Sequence, residues 1–169
     1  MATVEQVEQV VPAPGTLRLS PREREAILEV AYLAIAADRK LNDEELEAFR
    51  AVASRLREIA PHDPNAPPPS REEHRTMSDR ELNAILNRFA DGLERSAADE
   101  RLRAISKELQ RPEVRHLAYK VAYALALCDL ETSDEEFEFD LQLIDSLELT
   151  REEADTLADE VMAVFNLGA

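Results

Sequence analysis

Four carboxylates recur in one frame: Asp38 and Glu45, then Asp129 and Glu136, with 91 residues between equivalent positions. The nine residues Asp38-Arg39-Lys40-Leu41-Asn42-Asp43-Glu44-Glu45-Leu46 are answered by Asp129-Leu130-Glu131-Thr132-Ser133-Asp134-Glu135-Glu136-Phe137. Acids without neighbouring imidazole or thiolate offer hard oxygen donors, the ligand type of Ca²⁺ or Mg²⁺. Zinc is less supported, because His62, His74 and His116 are scattered and have no ligand spacing with Cys128. The same acids also have a structural use. An Asp that closes a helix can accept backbone N–H bonds in an Asx-type turn, and Glu45 and Glu136 are each the fourth residue of an S/T/N-x-x-E capping box. For one corner alone, caps and cation ligands both account for the pattern. The duplication weighs toward the cation, because two carboxylates about 5 Å apart repel by about 3 kcal/mol at an effective dielectric near 20. A converging set of four would need a cation, proton uptake or splaying into solvent. The frame also matches the end of an EF-hand loop. The upstream ligand positions of such a loop would be Ala34 and Ala36, and in the second copy Leu125 and Ala126-Leu127, which cannot coordinate Ca²⁺.

The elements that must carry these acids read as helices. Ser20-Pro21-Arg22-Glu23 is a capping box with Pro at the first helical position. The same start recurs at Asn42…Glu45, Ser78…Glu81, Ser133…Glu136 and Thr150…Glu153. Each leads into helical apolar spacing, predicting helices over about 21–38, 43–59, 79–95, 98–109, 113–129, 134–147 and 151–165. No strand-like alternation of useful length interrupts them. The first and fifth are apolar nearly all round, from Ile27 to Ala37 and from Leu117 to Cys128, and are expected to be a buried central pair. The 91-residue offset also aligns Val30 with Val121, Ala31 with Ala122, Tyr32 with Tyr123, Glu47 with Glu138 and Leu56 with Leu147. The expectation is an all-α, compact single domain of about seven helices with an internal pseudo-two-fold repeat. The two tyrosines should occupy equivalent buried places. Residues 1–19 read as a flexible N-terminal arm and 20–167 as the helical domain. Repeat 1 covers about 21–59, a Pro-rich connection 61–77 follows, and repeat 2 covers about 113–147.

Composition bounds the function. The chain has 169 residues and a net charge of −16, from 36 acidic and 20 basic side chains. That balance argues against phosphate-backbone binding, so no nucleic acid is expected, and against docking on anionic lipid. The longest apolar run, Val121 to Cys128, is far short of the roughly 20 residues a spanning helix needs, so no membrane insertion is expected. A single cysteine allows no intrachain disulfide, and Met1 to Val11 lacks the basic start of a signal peptide, so the expected location is cytoplasmic. There is no Gly-rich phosphate loop, nucleophile elbow or metalloprotease pattern, and 5% aromatics give little platform for sugar binding; no enzyme activity is expected.

An Ala-rich helix, then Ala36-Ala37-Asp38, an aliphatic Leu41 and Glu45, echoed at Asp129…Thr132…Glu136, resembles the tellurite-resistance TerB-like family over residues of about 21–165. The family usually carries Gly after the motif Asp; here Arg39 and Leu130 stand there. A positive φ at those positions would cost a non-Gly residue about 1–2 kcal/mol. The resemblance implies an all-helical stress-response or scaffold domain with two-fold character. It also implies a divalent-cation site formed by Asp38 and Glu45 with Asp129 and Glu136. The leading expectation is a non-enzymatic cytoplasmic domain of this kind that binds protein partners. The alternative is a structural or adaptor subunit of a larger assembly, without metal, whose acidic corners are helix caps.

Overall fold

The computed structural model describes residues 10, 19–36, 43–58, 78–127 and 134–167. Seven helices run through them: α1 (Pro21–Ala36), α2 (Asp43–Glu58), α3 (Asp79–Arg95), α4 (Ala98–Glu108), α5 (Pro112–Leu127), α6 (Asp134–Ser146) and α7 (Arg151–Leu167). No strand occurs among the described residues. The expected connection 61–77 and most of the expected arm lie outside them. Two residues of that arm are described, and both are buried: Val10 is 8% exposed and Leu19 0%.

The helix starts follow local chemistry. At α1 the Glu23 amide donates to Ser20 Oγ at 3.1 Å, and the Ser20 amide donates back to Glu23 Oε1 at 2.9 Å. At α7 the Glu153 and Thr150 amides make the same reciprocal pair, at 3.0 and 3.4 Å. Ser78 accepts from the Glu81 amide at 3.2 Å at the head of α3. The caps at Asn42 and Ser133 lie outside the described residues. Ser20→Ala should lower the unfolding free energy by about 1 kcal/mol, and Ser20→Asp should restore most of it. Urea unfolding would show this as a lower midpoint at unchanged slope.

Every residue from Ala26 to Ile35 is buried, so α1 is enclosed on all sides. Its most extensive partner is α5, and α2, α3 and α4 pack around it. Helix α5 in turn packs against α2, α6 and α7. The central pairing of the two apolar helices is therefore as their sequences require, and buried Ala31, Ala34, Ala118, Ala122 and Ala124 supply small side chains along it. The first residues of α1 and α5, and those of α2 and α6, are each 91 positions apart. Burial follows the same offset: Val30 and Val121, Ala31 and Ala122, Val52 and Leu143, and Leu56 and Leu147 are all at most 4% exposed.

Two carboxylates on α1, Glu23 and Glu29, are also buried, and each draws an arginine from elsewhere in the chain. Arg111 grips Glu23 with two bonds of 2.8 and 2.9 Å. Arg101 of α4 grips Glu29 with two of 2.5 and 2.6 Å. Burial pushes the Glu23 carboxyl up, but the bonds from Arg111 and Ser20 outweigh it and hold the group below its ordinary value. Arg115 bonds the Leu109 carbonyl beyond α4 and reaches the Leu147 carbonyl beyond α6 at 3.4 Å. A cation there answers the negative ends of both helices. After α6, Glu148 adopts φ 55° while the Leu149 amide bonds the Ile144 carbonyl at 3.0 Å. This is a Schellman-type end with a non-Gly residue in the left-handed position.

Candidate functional site

Of the four carboxylates singled out by spacing, Glu45 is the one whose side chain is described. It lies in the first turn of α2 and is 2% exposed. Asp38 and Asp129 lie outside the described residues. Glu136 lies in the first turn of α6, with its side chain outside them. The convergence expected for the four acids therefore falls outside what is described. Among the described residues no group of three or more His, Cys, Asp and Glu side chains is arranged to hold a metal ion. His116 is engaged by Glu153 at 3.2 Å. That contact, followed by the Thr150 hydrogen bonds, holds the Glu153 carboxyl below its ordinary value.

A different acid forms a small polar centre. Asp140 of α6 lies three residues before Leu143 and seven before Leu147, both 1% exposed. It is therefore on the core-facing stripe of its helix. Tyr119 of α5 lies close enough to Asp140 for the two groups to shift each other's titration. Tyr119 is 3% exposed and its ring stacks on Tyr123, with centroids 6.2 Å apart and planes at 25°. Burial pushes the Asp140 carboxyl up, and Tyr119 pulls it only part of the way back. Burial and the neighbouring Asp140 charge also push both tyrosine hydroxyls up, so they remain donors at neutral pH. A chamber of about 20 Å³ beside Asp140 and Tyr123 is closed by Ala34, Ala122, Ala126, Phe139 and Leu143, with room for about one water-sized molecule.

Tyr32 and Tyr123, expected in equivalent surroundings, differ. Tyr32 is 7% exposed and faces Phe89 at 5.7 Å. Tyr123 is only partly buried, stacks on Tyr119 and has the acids Asp140 and Asp159 in its surroundings.

A larger open groove of about 470 Å³ runs between the first half of α1 and α4. Ala26, Ala104 and Ile105 give it apolar walls, and Arg22, Glu25 and Glu108 line it with charge. Its size is in the range of small-molecule sites. Glu25, however, is engaged by Arg88 at 2.6 Å and Glu29 by Arg101, so these carboxylates are held in ion pairs. The groove was not legible in the sequence, since it arises from how two helices diverge. The Tyr119–Asp140 pair left one trace there: at the 91-residue offset Asp140 stands where the first half has Phe49, and Tyr119 where it has Leu28. Comparison of the chain with protein-family models, with curated proteins and with solved structures found no match in any of the three.

Proposed function

We propose that this chain is an internally duplicated, TerB-like helical domain without enzyme activity. In this reading it binds protein partners and holds a divalent cation, Ca²⁺ or Mg²⁺, through Asp38, Glu45, Asp129 and Glu136. The observation that supports the reading is the burial of Glu45. This carboxylate, 2% exposed at the head of α2, stands where the motif resemblance puts a cation ligand. The common offset of the helix starts supports an equivalent position for Glu136.

Calorimetric titration of metal-stripped protein tests it. Ca²⁺ or Mg²⁺ should bind with a dissociation constant of about 10⁻⁴–10⁻³ M, since few protein oxygens are available at each corner. Asp38→Asn combined with Asp129→Asn should abolish the binding and leave the helical circular-dichroism signal intact. Absence of binding heat in the parent protein would remove the cation from this reading.

The capping boxes realised at Ser20/Glu23 and Thr150/Glu153 favour a second reading. Glu45 and Glu136 hold the same position in their own boxes, and in that case they are caps in a structural or adaptor subunit. Thermal unfolding would then be insensitive to chelators. The double Asn variant would change stability only modestly, because Asn also forms Asx turns.

A further inference from the structure

Charge is unevenly distributed along the chain. Residues 134–167 hold 12 of the 36 acidic side chains and one of the 20 basic ones, a net charge of −11 out of −16. The rest of the chain is close to balance, at −5. This stretch comprises α6, α7 and the turn between them, and both helices pack on α5. Part of its charge is answered from within. His116 meets Glu153 at 3.2 Å, Lys120 meets Glu160 at 2.8 Å and Arg115 meets Glu148 at 3.3 Å. Glu138, Asp145, Glu152, Asp155 and Asp159 are exposed, and no basic side chain pairs with them among the described residues.

These acids fall on two helix faces. On α6, Glu138, Leu141, Gln142 and Asp145 recur at steps of three, four and seven residues, so they lie side by side, and all four are exposed. On α7, Asp155, Asp159 and Met162 do the same at steps of four and seven, with Glu152 one turn earlier. Leu141 at 52% and Met162 at 38% are the exposed large hydrophobic side chains among the described residues, one on each acidic face. Tyr123 of α5 is partly buried and has Asp140 of α6 and Asp159 of α7 in its surroundings, so the two helices border the same stretch of α5. An aromatic ring beside two acids is also a favourable place for a cation. Apolar anchors set among unanswered acids match a partner that carries the opposite charge around apolar side chains of its own. We propose that the outward faces of α6 and α7 form a docking surface for a basic amphipathic helix of a partner protein. Its apolar side chains rest on Leu141 and Met162, and its lysines or arginines meet Glu138, Asp145, Asp155 and Asp159. Nucleic acid and anionic lipid need a basic surface and are repelled here. The inference rests on the partner-binding part of the proposed function and not on its cation.

Fluorescence anisotropy with the full chain and a labelled synthetic peptide tests the docking surface. The probe is a lysine–leucine peptide of about 18 residues, five helical turns, with its leucines at i, i+3, i+4 and i+7 spacing. The parent protein should bind it saturably at about 0.1 M salt. An isomer with the same residues in an order that lacks this spacing should bind at least about tenfold more weakly. Leu141→Ser with Met162→Ser should weaken binding of the first peptide at least about tenfold, through loss of both anchors. Asp155→Asn with Asp159→Asn should weaken it about tenfold and flatten its salt dependence. Asp91→Asn with Glu94→Gln removes the same charge from exposed positions on α3 and should leave binding within about twofold. Every substituted residue is exposed, so the helical circular-dichroism signal should be unchanged in all three variants. No binding by the parent protein would overturn the proposal. So would equal binding of the two peptides, undiminished binding by the Leu141/Met162 variant, or equal weakening in the α3 variant. The cation is read by calorimetry and at other residues, so a failed peptide titration beside a positive cation titration removes this face alone.

Discussion

Phe49→Ala should lower the unfolding free energy by about 3–5 kcal/mol, the range for emptying an aromatic core site. Phe49 is 0% exposed and heads the largest fully buried side chains. It belongs to the core shared by α1, α2 and α5. Removal of the ring loses its transfer free energy, and a helix anchored by Ala48, Val52 and Leu56 can collapse only partly into the gap. Against a total stability of about 5–15 kcal/mol for an ordinary domain, this is a large fraction. Urea unfolding followed by circular dichroism measures it. Leu141→Ala is the control: Leu141 is 52% exposed, and its loss should change stability by about 0.5 kcal/mol or less. Equal effects from the two substitutions would mean that α2 is not anchored through Phe49.

Arg101→Ala should be the most damaging loss of a surface-reaching charge, at about 2–4 kcal/mol. The value lies somewhat below the ~3–5 kcal/mol of a fully buried pair because the Arg101 side chain is 33% exposed. The damage comes from what remains. Glu29 is 8% exposed on the enclosed helix α1, and without the two bonds from Arg101 its charge has lost its partner in a poorly hydrated site. Glu29→Leu together with Arg101→Met should recover most of the loss, since an apolar pair has no desolvation penalty to offset. The pair Arg88–Glu25 gives the contrast. Its side chains are 57% and 45% exposed, so Arg88→Ala should change stability by at most about 1 kcal/mol, and less at high salt. Thermal or urea unfolding of the three variants at two salt concentrations separates the cases. If Arg101→Ala proved as mild as Arg88→Ala, Glu29 would be better hydrated than its burial indicates.

The helices were legible because their signals are local. Ser20 with Glu23, Ser78 with Glu81 and Thr150 with Glu153 act across a single turn, and each marks a helix start in the structure. The continuous apolar surface from Ile27 to Ile35 could only be satisfied by enclosure, so the central place of α1 followed from the chain alone, and that of α5 by the same argument. The candidate cation ligands were legible as residue types in a repeating frame, but whether four carboxylates meet depends on the path of two corners, which spacing does not encode.

Other features were decided only when helices docked. The ion pairs of α1 are one case: Arg101, 72 residues from Glu29, and Arg111, 88 residues from Glu23, reach these buried carboxylates. The surroundings of Asp140 are another: the placement of α6 against α5 puts it on the core side of its helix near Tyr119, where burial pushes its carboxyl up. Local sequence sets where a helix begins and which face is apolar, because those depend on groups within one turn. Which charge meets which, and how dry the meeting place is, depends on helix positions set by the whole core.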